Sequence, residues 1–249
     1  MTHVHVVGLG MGPQHLTVEG AAALRAADYV LAARKGDVDE LLEVRRAVCA
    51  DHGVTLVEVA DPERDRDQAA DYPAAVRDWH AARVAAYAAE LGARGGTAAF
   101  LVWGDPSLYD STLRVLEQVA DRVPLTWDVV PGISAPQVLA ARHRVVLHEV
   151  GQPVHLTTAR RLPEALACGQ RNVLVMLGSE GSLGALEALA DWSIWWGANL
   201  GAAGERLVAG RVSEVLGEVR TARAAARAAA GWVMDAYLLR APSAGEAVA

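Results

Sequence analysis

Three short segments carry glycine, proline and aspartate at spacings suited to holding a ligand. The first is Gly8-x-Gly10-x-Gly12-Pro13, between the β-branched run His3-Val4-His5-Val6-Val7 and a helical pattern that starts near Thr17. Glycines at a strand-to-helix turn let the backbone approach a ligand, and the first helical turn offers free N–H groups. Pro13 removes one donor and fixes the turn. A dinucleotide fold asks for G-x-G-x-x-G and an acid at the end of the second strand. Here the third glycine comes one residue early, and Arg34 and Lys35 stand near the acid's place. That leaves room for a 2′-phosphate, so an NADP-binding oxidoreductase stays open. The second segment is Trp103-Gly104-Asp105-Pro106-Ser107-Leu108-Tyr109-Asp110-Ser111. Asp105 either caps the following helix or offers its carboxylate to a polar, cationic or amino-acid-like ligand. The third is Val130-Pro131-Gly132-Ile133-Ser134-Ala135. All three follow strand patterns, and open α/β sheets bind ligands at the carboxyl ends of their strands.

The elements that must position these loops follow from periodicity. Strands are expected at the N-terminus and over 28–33, 54–59, 97–103 and 125–130. Helices are expected over 17–27, 38–52, 73–91 and from the second loop to about 120, with a charged loop at 61–71. This alternation predicts a parallel sheet. Beyond it, strands over 153–158, 172–177, 193–197, 206–212 and 232–240 lie closer together, with helices over 134–142, 162–168, 181–190 and 217–230. Closer spacing predicts a mixed sheet with antiparallel pairs. The expected division is an N-terminal α/β domain over 1–124, a C-terminal α/β domain over 125–241 and a frayed tail over 242–249.

Composition narrows the class. Of 249 residues, 52% are hydrophobic and 21% charged, which excludes a disordered chain. Aromatics are only 5%, so the core must be aliphatic. The net charge of −7 argues against a nucleic-acid partner. Lys35 is the only lysine, so arginine supplies 22 of the 23 positive charges, which fits a GC-rich coding sequence or, more sharply, a need for bidentate anion contacts. Cys49 and Cys168 form no CxxC, which points to a reduced, cytoplasmic protein. Residues 1–18 carry no charged side chain and no basic start, and the uncharged run from Trp192 to Gly204 is too short to span. No signal peptide and no membrane partner are expected. The histidines show no HxxxH spacing, so no metal is expected.

The order GxGxGP, GDPxxYxS and PGISA resembles that of the tetrapyrrole (precorrin/cobalt-precorrin) methyltransferases, over nearly the whole chain. Met11 and Gln14 depart from the family's first loop, and Asp110 stands where a glycine is usual. The resemblance implies two α/β domains of the tetrapyrrole-methylase type with S-adenosylmethionine in the interdomain cleft, a tetrapyrrole substrate and a homodimer. It places cofactor contacts at Met11, Pro13, Gly104, Asp105, Leu108, Tyr109, Ser134 and Ala135, and in the second half at Met176, Leu177 and, more loosely, Leu200. Trp103, Asp110, Asp78-Trp79-His80, the Ala140–Arg144 stretch and the Leu156–Leu162 stretch are similar to family members that methylate C1 of a corrin precursor and release its acetyl group as acetate. That activity asks for a base to activate water and a donor for the oxyanion. Asp105, Tyr109 and Asp110 are the candidates; the competing readings are cofactor positioning for Asp105, and helix packing and first-turn dipole complementation for Tyr109 and Asp110. The substrate's carboxylates call for cations, and Arg160, Arg161, Arg142 and His80 are the candidates, with His143, Arg144 and Arg83 beside them. Methylation at another ring position and a non-catalytic cofactor-binding module stay open beside this reading.

Overall fold

A computed structural model describes residues 1–34, 36, 39–62, 72–231 and 233–242, with backbone alone at 72–77 and 180. Lys35, most of the charged segment 61–71 and the tail from 243 onward lie outside the described residues. The chain divides into two compact units, Met1–Ser134 and Ala135–Ala249.

The first unit holds a five-stranded sheet, entirely parallel, in the order β3-β2-β4-β1-β5. Its strands are β1 (Thr2–Gly10), β2 (Tyr29–Arg34), β3 (Thr55–Ala60), β4 (Thr97–Trp103) and β5 (Leu125–Val130). Its helices are α1 (Val18–Ala26), α2 (Glu40–Asp51), α3 (Tyr72–Arg94) and α4 (Thr112–Ala120). α1 starts where the Thr17 side chain accepts the Gly20 N–H at 3.0 Å. α2 starts where Asp39 accepts the Leu42 N–H at 3.1 Å. Both are N-caps of the favoured residue types.

Strand alternation sorts the core into two layers. Val7, Leu9, Val30, Ala99 and Leu101 pack with Ala23 and Leu24 of α1 and Val48 of α2. Val4, Val6, Leu31, Phe100 and Val102 pack with Val84 and Leu91 of α3 and Leu116 of α4. The helix after β1 therefore covers one face and the helix after β4 the other, although the two strands are neighbours. Between such strands the sheet opens a crevice at its carboxyl end, where the first two loops lie.

The second unit holds a mixed sheet, β6-β7-β10-β8-β9, in which only β6 and β7 run parallel. The strands are β6 (His155–Thr158), β7 (Asn172–Met176), β8 (Ser193–Ala198), β9 (Arg206–Arg211) and β10 (Asp235–Arg240), with helices α5 (Ala135–His143), α6 (Leu162–Ala167) and α7 (Val212–Ala230). The Arg223 guanidinium reaches the fully buried Asp235 carboxylate at 3.0 Å inside this unit.

Three expectations need correction. The boundary falls after Ser134 instead of at 124/125, because β5 pairs along its length with β1 and belongs to the first sheet. The segment expected as a helix over 181–190 is a 3₁₀ helix, Glu180–Leu189. The last helix begins at Val212, five residues before its expected start at 217. Among the described residues, no helix is long and apolar enough to cross a membrane.

Candidate functional site

The three loops meet at the carboxyl end of the first sheet through backbone. Gly10 and Gly104 exchange hydrogen bonds, N–H to carbonyl, at 3.1 and 2.9 Å. A Cβ on Gly8 would lie 2.4 Å from the Gly132 nitrogen, and one on Gly132 would lie 2.2 Å from the Gly104 carbonyl oxygen. No side chain fits at either position, so glycine is required by close backbone approach. Gly104 also sits at φ +74°, a left-handed value.

Asp105 ties two of these loops together. One carboxylate oxygen accepts the Ser107 N–H at 2.8 Å and the Ser107 hydroxyl, and the other accepts the Gly132 N–H at 2.8 Å. Burial works to raise its pKa, yet the bonds from the Ser107 hydroxyl and the Gly132 and Ser107 amides outweigh it and hold the carboxyl below its ordinary value. Such a carboxylate is a weak base at neutral pH. The structure favours loop positioning over the acid–base role considered for Asp105.

Tyr109 is 45% exposed at φ 53°, and burial of the rest pushes its phenol pKa up, keeping it a proton donor. Asp110 accepts the Thr112 N–H at 2.6 Å, which ties it to the first turn of α4. Met11 is buried, its sulfur 3.7 Å from where a Gly104 Cβ would stand, and Pro13 is exposed at the head of a one-turn 3₁₀ helix. Leu108 donates its N–H to the Asp105 carbonyl at 3.1 Å. Ser134 and Ala135 are buried where the third loop enters α5. The Trp103 indole N–H, at the end of β4, is buried with no hydrogen-bond partner among the described residues. Leaving such a donor unmet costs about 1–3 kcal/mol, so it is a candidate for a ligand atom.

Beside the second loop lies a cavity of about 170 Å³, bounded by Asp110, Ser111, Arg45, Arg83, Tyr87 and Asp39. Arg83 is committed: it holds Asp61 with three nitrogen–oxygen contacts of 2.7, 2.8 and 2.9 Å and lies 4.0 Å over the Trp79 ring. Arg45 donates its Nε–H to the Leu101 carbonyl at 2.9 Å and its Nη1–H to the Leu41 carbonyl at 3.2 Å. Burial lowers its pKa, so it sits as a cation poorly solvated by water. Sequence reasoning missed Arg45. The available signal was a cation inside the α2 stripe Leu41, Leu42, Val44 and Val48.

The remaining candidates are placed as follows. His80, on α3, stacks edge-on against Trp79 at 4.8 Å. In the second unit Arg161 pairs with Glu164 and Arg142 with Glu205, while Arg160 is exposed on a 3₁₀ turn after β6. His143 binds the Trp196 carbonyl at 2.9 Å, and Arg144 takes a left-handed φ of 56°. Met176 ends β7, and Leu177 follows it at φ 56°, 55% exposed. Leu200 is fully buried against Gly197, which leaves its backbone as the part able to meet a ligand. Arg34, invoked for a 2′-phosphate, faces Glu58 at 3.6 Å. Cys49 and Cys168 are free, and burial pushes the Cys49 thiol up to about 11.

Comparison with known proteins agrees with this architecture. The chain is 44% identical to a precorrin-6A synthase [deacetylating] from Sinorhizobium sp, over 96% of this chain and 95% of that one. The crystal structure of a cobalamin synthesis related protein (CobF) from Corynebacterium diphtheriae superposes with a TM-score of 0.82 at 35% identity, covering 96% and 99% of the two chains. The uroporphyrin-III C-methyl transferase from Thermus thermophilus, solved with S-adenosyl homocysteine, shares the fold at a TM-score of 0.59 and 19% identity, over 95% and 91% of the chains. Residues 3–216 match the family Tetrapyrrole (Corrin/Porphyrin) Methylases, and this chain, with its glycine-lined loops on the first sheet, belongs to that family.

Proposed function

We propose that this chain is an S-adenosylmethionine-dependent C-methyltransferase of corrin biosynthesis. It methylates C1 of precorrin-5 and releases the acetyl group carried there as acetate, giving precorrin-6A. The observation that carries the reading is the 44% identity, along nearly the whole chain, to the Sinorhizobium precorrin-6A synthase.

The cofactor fits the first unit. Close backbone packing of Gly8 on Gly132 and of Gly132 on Gly104 gathers the three loops at the carboxyl end of the sheet, and the buried Trp103 N–H at the start of the second loop has no partner among the described residues. Met11, Pro13, Gly104, Leu108, Tyr109, Ser134 and Ala135 hold the cofactor, with Asp105 fixing the loops. By the family resemblance, Met176, Leu177 and the Leu200 backbone are the further cofactor candidates. When bound, the cofactor supplies an activated methyl group to C1, which needs alignment above all.

The deacylation falls to the chain's own side chains. Water adds to the acetyl carbonyl, the bond to C1 breaks with its electron pair left on the macrocycle, and acetate departs. Asp110, at the cavity edge, takes the proton from water. Tyr109, held protonated, donates to the developing oxyanion. Arg45 meets a substrate carboxylate at the cavity, because burial strengthens its pull on an anion. Arg160 is a second carboxylate contact. Arg161, Arg142 and His80 are held to the same role less firmly, since the two arginines must leave Glu164 and Glu205 to take it. A homodimer is part of the same reading.

The test is incubation of the purified chain with precorrin-5 and methyl-labelled S-adenosylmethionine, following product mass and acetate together. Label in the macrocycle with equimolar acetate is the expected result. Label without acetate moves the chain to another ring position. Neither product, with S-adenosylhomocysteine still bound, leaves a binding module.

A further inference from the structure

Along β1 and β5 of the first sheet, short of the loops, two histidines and an aspartate converge. His3 and His5 are two residues apart on β1, so strand alternation turns both to one face. β5 runs parallel beside them, with Thr126 opposite His3 and Asp128 opposite His5. His5 Nδ1 lies 2.8 Å from one Asp128 oxygen, and His3 Nε2 lies 3.3 Å from the other. The two imidazole rings meet edge to face, 4.7 Å between centroids. One ligand atom from each residue falls within 4.8 Å of the other two, the one such cluster of three among the described residues.

The expectation of no metal rested on HxxxH, a helical spacing. On a strand the equivalent pair is HxH, because the side-chain period there is two residues. We propose that His3, His5 and Asp128 form a binding site for a borderline divalent cation of the zinc class. Two imidazole nitrogens and one carboxylate oxygen suit that class, and water completes a tetrahedron. Tetrahedral bonds of about 2.0–2.2 Å set ligand atoms about 3.4 Å apart, and each imidazole nitrogen already lies 2.8 or 3.3 Å from an Asp128 oxygen. His3 Nδ1 lies 2.9 Å from the Thr126 hydroxyl, an outer partner that leaves Nε2 turned to the metal position. The cluster is reachable from solvent, with side-chain exposures of 37% for His3, 15% for His5 and 53% for Asp128.

The site stands apart from the proposed chemistry. His5 precedes Gly8 by three residues and Asp128 precedes Gly132 by four, which at about 3.3 Å per residue is about 10–13 Å of strand. A cation there would pin the edge strand β5 to β1 and stabilise the sheet that holds the loops. It takes no part in methyl transfer.

The test uses the full chain, metal-free and without a purification tag. Titration with Co²⁺ is followed by its visible d–d absorption, with Zn²⁺ as competitor. The expected result is one saturable equivalent, displaced by Zn²⁺, and a higher melting temperature with Zn²⁺ present. His5→Ala and Asp128→Asn should each weaken binding at least about a hundredfold while keeping the metal-free melting temperature. Zinc-edge anomalous density in crystals soaked with Zn²⁺ locates the ion without any variant. Absence of a saturable equivalent, binding undiminished in both variants, or density at other histidines would overturn the proposal.

Discussion

Asp105→Ala removes the acceptor that holds the second loop to the third. Two backbone donors lose their partner, Ser107 N–H and Gly132 N–H, together with the Ser107 hydroxyl. Ser107 is exposed and regains water at little cost. Gly132 is wedged against Gly8 and Gly104, and its stranded donor costs about 1–3 kcal/mol. A central value of about 2 kcal/mol corresponds to a melting-temperature fall of about 4–8 °C for a chain of this size. Restoring the loop on binding should take about 1.4 kcal/mol, a tenfold loss of affinity. Calorimetric titration with S-adenosylhomocysteine measures this directly, and Asp105→Asn, which keeps one acceptor, should fall between. The folded carboxyl titrates below its unfolded value, so its contribution is present in full above the unfolded pKa, about 3.9. It is lost as pH falls through the folded value. The stability gap between wild type and Asp105→Ala should therefore narrow below about pH 4. Affinity within twofold of wild type, alongside the predicted loss of stability, would refute a ligand-cradle role and leave Asp105 a local loop tie.

Gly132→Ala should cost about 1–3 kcal/mol or more by overpacking and abolish S-adenosylhomocysteine binding. Gly217→Ala on α7, where a Cβ meets nothing within 4 Å, should leave both intact or stabilise slightly, and denaturant melts with titration compare them. Arg45→Met should raise the KM for the tetrapyrrole about tenfold or more while cofactor affinity holds, as expected for a charge-assisted contact worth about 1.5–3 kcal/mol; an unchanged KM removes Arg45 from the substrate. Arg160→Ala should raise the same KM more modestly, and if KM and cofactor affinity both stay put, Arg160 is ordinary surface. Arg223→Met leaves the Asp235 carboxylate, fully buried, without its cation and should cost about 3–5 kcal/mol in urea melts. Adding Asp235→Asn should recover part of that loss, and no recovery would sink the charge explanation.

Much of the fold is written locally. The alternation of strand and helix patterns in the first half, and the closer strands of the second, are both present as read. The misplaced boundary came from β5, since Leu125 to Val130 reads as a strand on either side of a division. Only its pairing with β1, more than a hundred residues earlier, assigns it to the first sheet. The 3₁₀ helix left a signal that went unread. Leu183, Leu186 and Leu189 recur every three residues and are all buried, the 3₁₀ period, while Gly181 and Gly184 weaken an α-helix. The site divides the same way. Loop glycines announce themselves because their need is local, whereas Arg45 in the cavity depends on α2 packing against β4, where Leu101 receives its Nε.

Asp105 shows how topology can choose a role that residue type leaves open. By sequence it is either a helix cap or a ligand contact. In the fold it reaches 27 positions along the chain to Gly132, because β1 lies between β4 and β5 and brings all three loops to one end of the sheet. With both oxygens occupied and its pKa held down, it is poorly placed to take a proton from water. A deacylating enzyme built on this scaffold must find its base elsewhere. Asp110 is the carboxylate of the same loop that lines the cavity, on the far side of the left-handed Tyr109. Asp110→Asn should therefore suppress acetate release more than it weakens S-adenosylhomocysteine binding. Equal losses in both would return Asp110 to the first turn of α4, where its bond to the Thr112 N–H already gives it a structural purpose.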